Sequence, residues 1–341
     1  MLISVSVAMF QRALRYVVAA MTRTPFLLVI GLLLLIVAPS CGRDATGIRR
    51  NGRIVFVRYS TASYSRLYVM SSDGTHVTLF AKPASRDVLG YADPAWSPDG
   101  KRIAVTSDGD RASWLSVIRS DGMGVRDITS FHGLYVGDDY QPTWSPDAHE
   151  IAYSSFGVYN PSSDAIFKTH LSDTGRREVE RPLQADARSD TFPFSEEQPD
   201  WSPDGRWIAF NRWNGDAVDR ATENGRIALI KPDGKSLRLL AAGENPDWSP
   251  DSAHVAYDHL GHIEAINADG KGETQLTSSP ATDFDPEWSP DGQLILFSRV
   301  RHTRKDNRPL VDLWIMNADG SNPHRLAANA QQGSWQPLPH H

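Results

Sequence analysis

A four-residue motif, Trp-Ser-Pro-Asp, recurs along the sequence and limits the fold more than any other feature. It begins at Trp96, Trp144, Trp201, Trp248 and Trp288, with spacings of 48, 57, 47 and 40 residues. Repeats of this length are typical of proteins built from successive copies of one small structural unit. The motif therefore predicts a single repeat domain, although 341 residues would also suit two ordinary domains.

The residues after each motif predict a β-strand. Seven residues after every Trp stands a β-branched aliphatic residue, namely Ile103, Ile151, Ile208, Val255 or Ile295. Two residues later comes another large apolar residue, and this period of two is the pattern of a strand. Further along most units, a second strand-like run ends in an Asp-Gly turn, as at Asp73–Gly74 and Asp319–Gly320.

The aspartates of the repeat admit two interpretations, and turn formation is preferred. In Ser-Pro-Asp-Gly, Ser begins the turn, Pro sets φ at the second position and Gly ends it. A catalytic or metal-binding set is the alternative. Because an Asp occupies the same place in every copy, one structural role accounts for all of them together.

The pattern of each unit predicts four antiparallel strands. Repetition of this unit predicts an all-β, six-bladed β-propeller over residues 51–337. Five Asp-Gly turns and the variant Asp173-Thr174-Gly175 give six blades. The first unit lacks the Trp motif, so the C-terminal segment around Trp335 is predicted to supply its missing strand and close the ring. One structural tryptophan is then assigned to each blade: Trp96, Trp144, Trp201, Trp248, Trp288 and Trp335.

The unit Pro-x-Trp-Ser-Pro-Asp-Gly-x-x-Ile-Ala-Phe…Asp-Gly resembles the TolB-type, or WD40-like (PD40), propeller repeat. The resemblance implies the fold, whereas the repeat serves many different functions. TolB itself, a periplasmic envelope protein, has an extra α/β domain before its propeller. Here about ten residues separate Cys41 from the first predicted strand. We therefore do not identify the chain as TolB, and we do not infer that it belongs to the Tol–Pal system.

The N-terminus is predicted to be an export signal covering residues 1–40, with Met21 as a second candidate start. Residues Phe26–Ala38 are uncharged and apolar, which is short for a membrane-spanning helix but suits a secretory signal. Cys41, the single cysteine, follows at once and resembles the lipidated residue of a bacterial lipoprotein. A cleaved signal with an incidental Cys and an uncleaved anchor are the alternatives. Residues 41–50 would be a tether and 338–341 a tail.

Charge and cysteine content exclude several classes of protein. One cysteine cannot form a disulfide framework or a four-cysteine zinc site. A net charge of −6 disfavours a nucleic-acid-binding protein. We expect an exported, lipid-anchored protein at the cell envelope, monomeric, with an envelope protein or peptide as partner.

The residues before the strand-A prolines are predicted to lie at the mouth of the central channel. They are Asp93, Gln141, Gln198, Asn245 and Asp285. Together with nearby acidic residues, they predict a binding site for a cation such as Ca²⁺ or for a basic peptide. We expect no other cofactor. The alternative is that they are turn formers and the acids are solvated. A basic insertion, Arg299–Pro309, is a second candidate surface.

Two functions remain open from the sequence. The first is a non-catalytic binding or scaffold protein, since no nucleophile–base set or metal motif stands out. The second is an envelope hydrolase or lyase with a carboxylate-lined site at the channel mouth. Exposed aromatic residues on the loop face would favour binding, and the candidates are Tyr91, Tyr135, Tyr140 and Phe194.

Overall fold

The computed structural model describes residues 51–61, 64–82, 87–129, 138–157, 164–171, 181–183, 194–214, 225–301 and 310–337. The predicted signal, Cys41, the tether and the tail lie outside these ranges. Twenty-four strands form six antiparallel sheets of four, arranged as the blades of a propeller. The prediction of a six-bladed all-β propeller is confirmed.

The first three blades take these strands. Blade 1 contains β1 (Ile54–Thr61), β2 (Tyr64–Met70) and β3 (Thr78–Ala81). Blade 2 contains β4 (Val88–Trp96), β5 (Arg102–Gly109), β6 (Ser113–Arg119) and β7 (Arg126–Asp127). Blade 3 contains β8 (Asp138–Trp144), β9 (Glu150–Phe156), β10 (Asp164–His170) and β11 (Arg181–Pro182).

The remaining strands form blades 4 to 6 and close the ring. Blade 4 contains β12 (Phe194–Trp201), β13 (Ile208–Asn214), β14 (Arg226–Ile230) and β15 (Arg238–Ala242). Blade 5 contains β16 (Glu244–Trp248), β17 (His254–His259), β18 (His262–Asn267) and β19 (Thr274–Gln275). Blade 6 contains β20 (Asp283–Trp288), β21 (Leu294–Arg301), β22 (Leu310–Asn317) and β23 (His324–Ala327).

The last strand, β24 (Gln331–Trp335), pairs with β1 and completes blade 1. Trp335 stands opposite Ile54, the register that Trp96 and Ile103 adopt in blade 2. At Gly333, where the other copies have proline, a Cβ would come within 3.1 Å of side-chain carbons of Leu296 and Leu313. Closure therefore gives blade 1 the same four strands as the other blades.

The six repeat tryptophans pack at the interfaces between blades. Trp96 belongs to one buried cluster with Val55 and Leu67 of blade 1, and Trp335 belongs to another with Leu296 and Leu313 of blade 6. Basic side chains of the preceding blade lie over several of these rings, as Arg102 does over Trp144 at 4.8 Å. Each tryptophan therefore adds apolar contact between its own sheet and the preceding one, which aromatic rings provide efficiently.

The Asp-Gly turns also form contacts between blades. Gly122 has φ +80°, and a Cβ on it would lie 2.1 Å from the carbonyl oxygen of Phe80 in blade 1. Gly234 and Gly320 make the same close approach to the preceding blades, at Leu183 and Leu276. Glycine is required here both by the left-handed turn and by the neighbouring strand.

In the Ser-Pro-Asp turns the Ser and Asp side chains bind each other and the backbone. Ser145 Oγ donates to Asp147 Oδ1 at 2.6 Å and accepts from the N–H of Glu150. The same Ser–Asp hydrogen bond occurs in all five copies of the motif. The interpretation of these aspartates as turn formers is confirmed by this geometry.

Candidate functional site

The five predicted mouth residues occupy equivalent places on the innermost strands, and β24 adds a sixth. Asp93, Gln141, Gln198, Asn245, Asp285 and Gln332 all have φ between +47° and +55°. Each lies at a β-bulge where the inner strand loses register with its neighbour. All six are half-buried, and no glycine relieves the left-handed backbone.

Hydrogen bonds join these residues from blade to blade. In blade 3, Ser154 Oγ donates to the Gln141 side chain at 3.0 Å and accepts from the N–H of Gln198 in blade 4. Asn211 connects Gln198 to Asn245 in the same way, and its Oδ1 accepts from the N–H of Asn245 at 3.0 Å. A second-strand side chain thus holds two neighbouring inner strands together.

The connecting residues were not predicted as part of the site, although the sequence contains a signal for them. They stand ten residues after each motif tryptophan: Thr106, Ser154, Asn211, Asp258 and Ser298. All five are polar at a position where the rest of the strand is mostly apolar. In blade 1 the equivalent residue is Val57, so the N–H of Asp93 turns instead to Gln332 Oε1 at 3.3 Å.

One group of carboxylates lies beside blades 2 and 3. Ser113 binds two of them, donating its N–H to Asp138 Oδ1 at 2.9 Å and its Oγ to Asp108 Oδ1 at 3.2 Å. Burial raises the pKa of Asp108 to about 7, and the charges of Asp93 and Asp138 add to the rise. Burial also raises the pKa of Asp138. In their ionised forms these groups create a region of negative potential.

A second carboxylate group lies beside blades 5 and 6, across the ring. Asp258 Oδ1 accepts from Asn245 Nδ2 at 2.6 Å and from the N–H of Asp285 at 3.2 Å. Burial, followed by the charges of Glu244 and Asp285, raises the pKa of Asp258 well above its usual range. We call Asp93, Asp108, Asp138, Glu244, Asp258 and Asp285 the mouth carboxylates.

Other acids near this face are neutralised by arginines. Glu196 pairs with Arg212 at 3.1 Å, and Asp283 pairs with Arg299 through two bonds of 2.5 and 2.8 Å. Asp108, Asp138 and Asp258, in contrast, form no ion pair with any lysine or arginine that the structure describes. Their charge is therefore not compensated by these basic residues.

The structure corrects the reading of residues 299–309 as a basic surface insertion. Strand β21 extends to Arg301, so Arg299 and Arg301 belong to the sheet. Arg299 is bonded to buried Asp283, and Arg301 lies 3.1 Å from Asp312. Residues 302–309 lie outside the described ranges. Arg299 and Arg301 thus act as partners of buried acids.

The expected exposed aromatics are also corrected. Tyr91 is fully buried in an apolar cluster, and Tyr140, whose hydroxyl donates to buried Asp164, is 8% exposed. Phe194 is half-buried beneath the guanidinium of Arg212. Tyr135 lies outside the described residues. Among the described aromatic residues, Tyr59 is exposed, at 39%.

A second ring lies deeper in the channel, at the residue before each tryptophan. The N–H of Trp248 donates to Asp200, that of Trp288 to Asp247 and that of Trp335 to Glu287, at 2.6–2.8 Å. Burial raises the pKa of Asp200 to about 6 and that of Glu287 to about 8. Burial and the charges of Asp200 and Glu287 raise the pKa of Asp247 well above its usual range. All three keep partial exposure to the channel.

No group of three or more His, Cys, Asp or Glu side chains is arranged to hold a metal ion within the described part of the chain. Over the same ranges, no helix is long and apolar enough to cross a membrane. The calcium prediction at the mouth therefore receives no preformed ligand set from these residues.

No family model matches the chain, and no curated protein matches it. Solved structures do match. A chain in a crystal structure of a nidogen–laminin complex has a TM-score of 0.59 at 11% identity, covering 83% of this chain and 98% of the other. The chain has the six-bladed propeller fold.

Two further solved structures are similar to the propeller. A TolB-type protein from Agrobacterium tumefaciens has a TM-score of 0.36 at 19% identity, covering 82% of this chain and 83% of the other. An oligogalacturonate lyase from Vibrio parahaemolyticus has a TM-score of 0.43 at 13% identity, covering 82% and 85%. At these values neither supports a conclusion about function, and the TolB-type resemblance of the repeat stays a prediction.

Proposed function

We propose that this propeller is a non-catalytic binding protein of the cell envelope whose channel mouth binds a basic peptide segment. The observation that carries the proposal is a set of aspartates, buried Asp258 and half-buried Asp108 and Asp138, which form no ion pair with a described basic residue. Uncompensated buried charge is costly, and a cationic ligand would relieve that cost. Export and lipid attachment at Cys41 complete the proposal and rest on the sequence alone.

The geometry of the mouth also suits a binding surface. Six residues in left-handed backbone conformation, each costing on the order of 1 kcal/mol, surround the channel and are held by hydrogen bonds between blades. Such strain persists where the surrounding structure fixes it, and it clusters at sites that bind ligands. A rigid rim of this kind presents its carboxylates with little loss of side-chain entropy on binding.

Binding of a blocked tetra-arginine peptide, measured by fluorescence anisotropy at low and at high salt, tests this proposal. We expect saturable binding that weakens with salt and is reduced several-fold in the double variant Asp108→Asn/Asp138→Asn. The matched control is Asp233→Asn/Asp269→Asn, which removes the same charge from exposed turns on the opposite face. An equal loss of affinity in both double variants would show that only the net charge of the protein matters, and it would overturn the assignment of the site.

Calcium is the second cationic ligand to test. A calorimetric titration of the parent protein, with Asp93→Ala and Asp285→Ala as variants, separates a metal site from a peptide site. Heat of calcium binding that requires both aspartates would support a calcium site. If the parent protein gives no such heat, the proposal of a metal site is wrong. Mass spectrometry of the N-terminal peptide from envelope fractions tests lipid attachment at Cys41.

An enzymatic function is the alternative, and the deeper ring favours it. Burial raises the pKa of both Asp200 and Glu287 above the usual range of a carboxyl group. Such a pair can act as general base and general acid. Turnover of a polysaccharide or peptide substrate that disappears in Glu287→Gln, with folding retained, would establish this alternative over binding.

A further inference from the structure

Two arginines face each other across the first two strands of blade 1. Arg58 on β1 and Arg66 on β2 are direct cross-strand partners, and both are half-buried. Like charges at such positions repel. Neither side chain forms an ion pair or hydrogen bond within the described ranges, and Nε of Arg58 is buried without an acceptor there. The pair therefore has an electrostatic cost that no described ion pair or hydrogen bond offsets.

The two guanidinium groups border a cavity of about 390 Å³ at the seam between blades 1 and 6. Its lining consists of Arg58, Tyr59, Arg66, Tyr68, Ala328 and Asn329. Small-molecule sites typically have this size and combine apolar or aromatic walls with a few polar groups.

Neighbouring residues hold the cavity walls in place without neutralising the arginines. The guanidinium of Arg58 lies over the rings of Phe56 and Tyr68, at 5.2 and 5.0 Å. Asn329 donates its N–H to Asp312 at 2.9 Å. That aspartate, buried at 2% exposure, lies 3.1 Å from Arg301, so its charge is already compensated.

We propose that this cavity binds the carboxylate group of a small organic ligand. Two guanidinium groups provide the forked donors that bind carboxylates through paired hydrogen bonds, and Tyr59 and Tyr68 would pack against the body of the ligand. A singly charged group is favoured over a dianionic phosphate because negative potential from the mouth extends to this wall.

The charges of three mouth carboxylates act on the hydroxyl of Tyr59. Although 39% of this residue stays exposed, the dense protein around its hydroxyl raises its pKa, and the charges of Asp108, Asp93 and Asp285 raise it further. The carboxylate site does not depend on the proposed function, because its donors are different residues from the mouth carboxylates.

Calorimetric titration of the whole protein with three probes tests the proposal. N-acetylphenylalanine represents a peptide C-terminus, D-glucuronate an acidic sugar, and inorganic phosphate a dianion. We expect saturable binding of one of the two carboxylates, and its identity separates the two sources. Preferential binding of phosphate would overturn the choice of a carboxylate, and no heat from any probe would overturn the site.

Substitution of the arginines locates the binding. We expect Arg66→Gln to weaken the bound carboxylate by about tenfold or more, the loss typical of a removed charge-assisted hydrogen bond. Arg126→Gln, an exposed arginine on β7, is the matched control and should leave the affinity unchanged. Equal weakening in both variants would contradict the assignment.

Thermal unfolding keeps the proposal testable if the affinity is low. Removing one of two opposed charges should raise the melting temperature of the unliganded Arg66→Gln protein and abolish the rise that the carboxylate causes in the parent. A lower melting temperature with the ligand-induced rise retained would show that Arg66 is structural. Asp108→Asn/Asp138→Asn should keep carboxylate binding, which separates this site from the peptide site.

Discussion

The backbone N–H of Trp248 donates to Oδ2 of Asp200 at 2.7 Å, so a carboxyl group that lines the channel ties blade 5 to blade 4. The next two interfaces repeat the contact with Asp247 and Glu287. Three like-charged groups therefore follow one another around one side of the deeper ring. Their mutual repulsion and burial favour the protonated forms.

Stability is expected to fall as the pH rises from about 4 to about 8. Asp200, Asp247 and Glu287 have pKa values raised above their unfolded values. A raised carboxyl pKa stabilises the fold fully below the unfolded pKa, and this contribution is lost as the pH passes the folded pKa. Urea unfolding at pH 5 and pH 8.5 measures the difference.

The triple variant Asp200→Asn/Asp247→Asn/Glu287→Gln should reduce this pH dependence, because three of the carboxyl groups with raised pKa values are replaced by amides that do not titrate. Asp233→Asn, on an exposed turn, should leave the dependence as in the parent. A parent protein that gains stability up to pH 8 would contradict the raised pKa values.

The opposite effect is expected below about pH 4. The hydrogen bond from Ser145 lowers the pKa of Asp147, which therefore stabilises the fold above the unfolded pKa. This contribution is lost as the pH falls through the folded pKa. Together the two sets of carboxyls predict a stability maximum near pH 4 to 5, about where the two trends cross. Thermal melts between pH 2.5 and 9 locate the maximum.

Gly122→Ala should destabilise the protein more than Gly270→Ala, by about 2 kcal/mol. The two glycines share a left-handed φ, +80° and +85°, and so share the conformational cost of a Cβ. At Gly122 that Cβ would lie 2.1 Å from Phe80 O, whereas at Gly270 the nearest atom is 3.7 Å away. Equal free energies of unfolding for the two variants would show that the contact between blades relaxes without cost.

Ser249→Ala should cost about 1–3 kcal/mol of unfolding free energy. Its buried Oγ accepts from the N–H of His254 at 2.9 Å and donates to Asp251 at 2.6 Å. Alanine leaves the buried N–H without this acceptor. Thr78→Ser, an exposed change on an outer strand, is the comparison in the same urea titration. A loss of unfolding free energy no larger than that of Thr78→Ser would show that Ser249 does not stabilise the turn.

Truncation after Ala330 should abolish cooperative unfolding, because it removes β24 and leaves β1 without its inner partner. The deletion also removes Trp335, which is 3% exposed and packs between blades 1 and 6. Burying one such ring contributes about 3–5 kcal/mol. Truncation after Pro337 is the control. Size-exclusion chromatography and thermal melts of the two proteins check the expectation, and a monomeric, cooperatively folded Ala330 truncation would contradict it.

The blades could be predicted from the repeat, whereas the pairing of charged residues around the channel could not. The Trp motif placed the inner strands, and the period of two after Ile103 placed the next strands. The same pattern could not show that Arg299 would pair with Asp283, or that Tyr91 would be buried. Pairing depends on which side chains from distant strands meet, and a local pattern contains no such information.

By itself, the sequence determined the number of blades, the turns and the strand that closes the ring, because these follow from local backbone preferences and from a repeated pattern of apolar residues. The tertiary structure alone decided which polar groups share an environment. In the folded chain Arg58 and Arg66 line one cavity, and Asp108 and Asp138 accept hydrogen bonds from the same serine, Ser113. Burial and charge act over distances in space, so the chemistry of the mouth and of the seam arises only once the ring has closed.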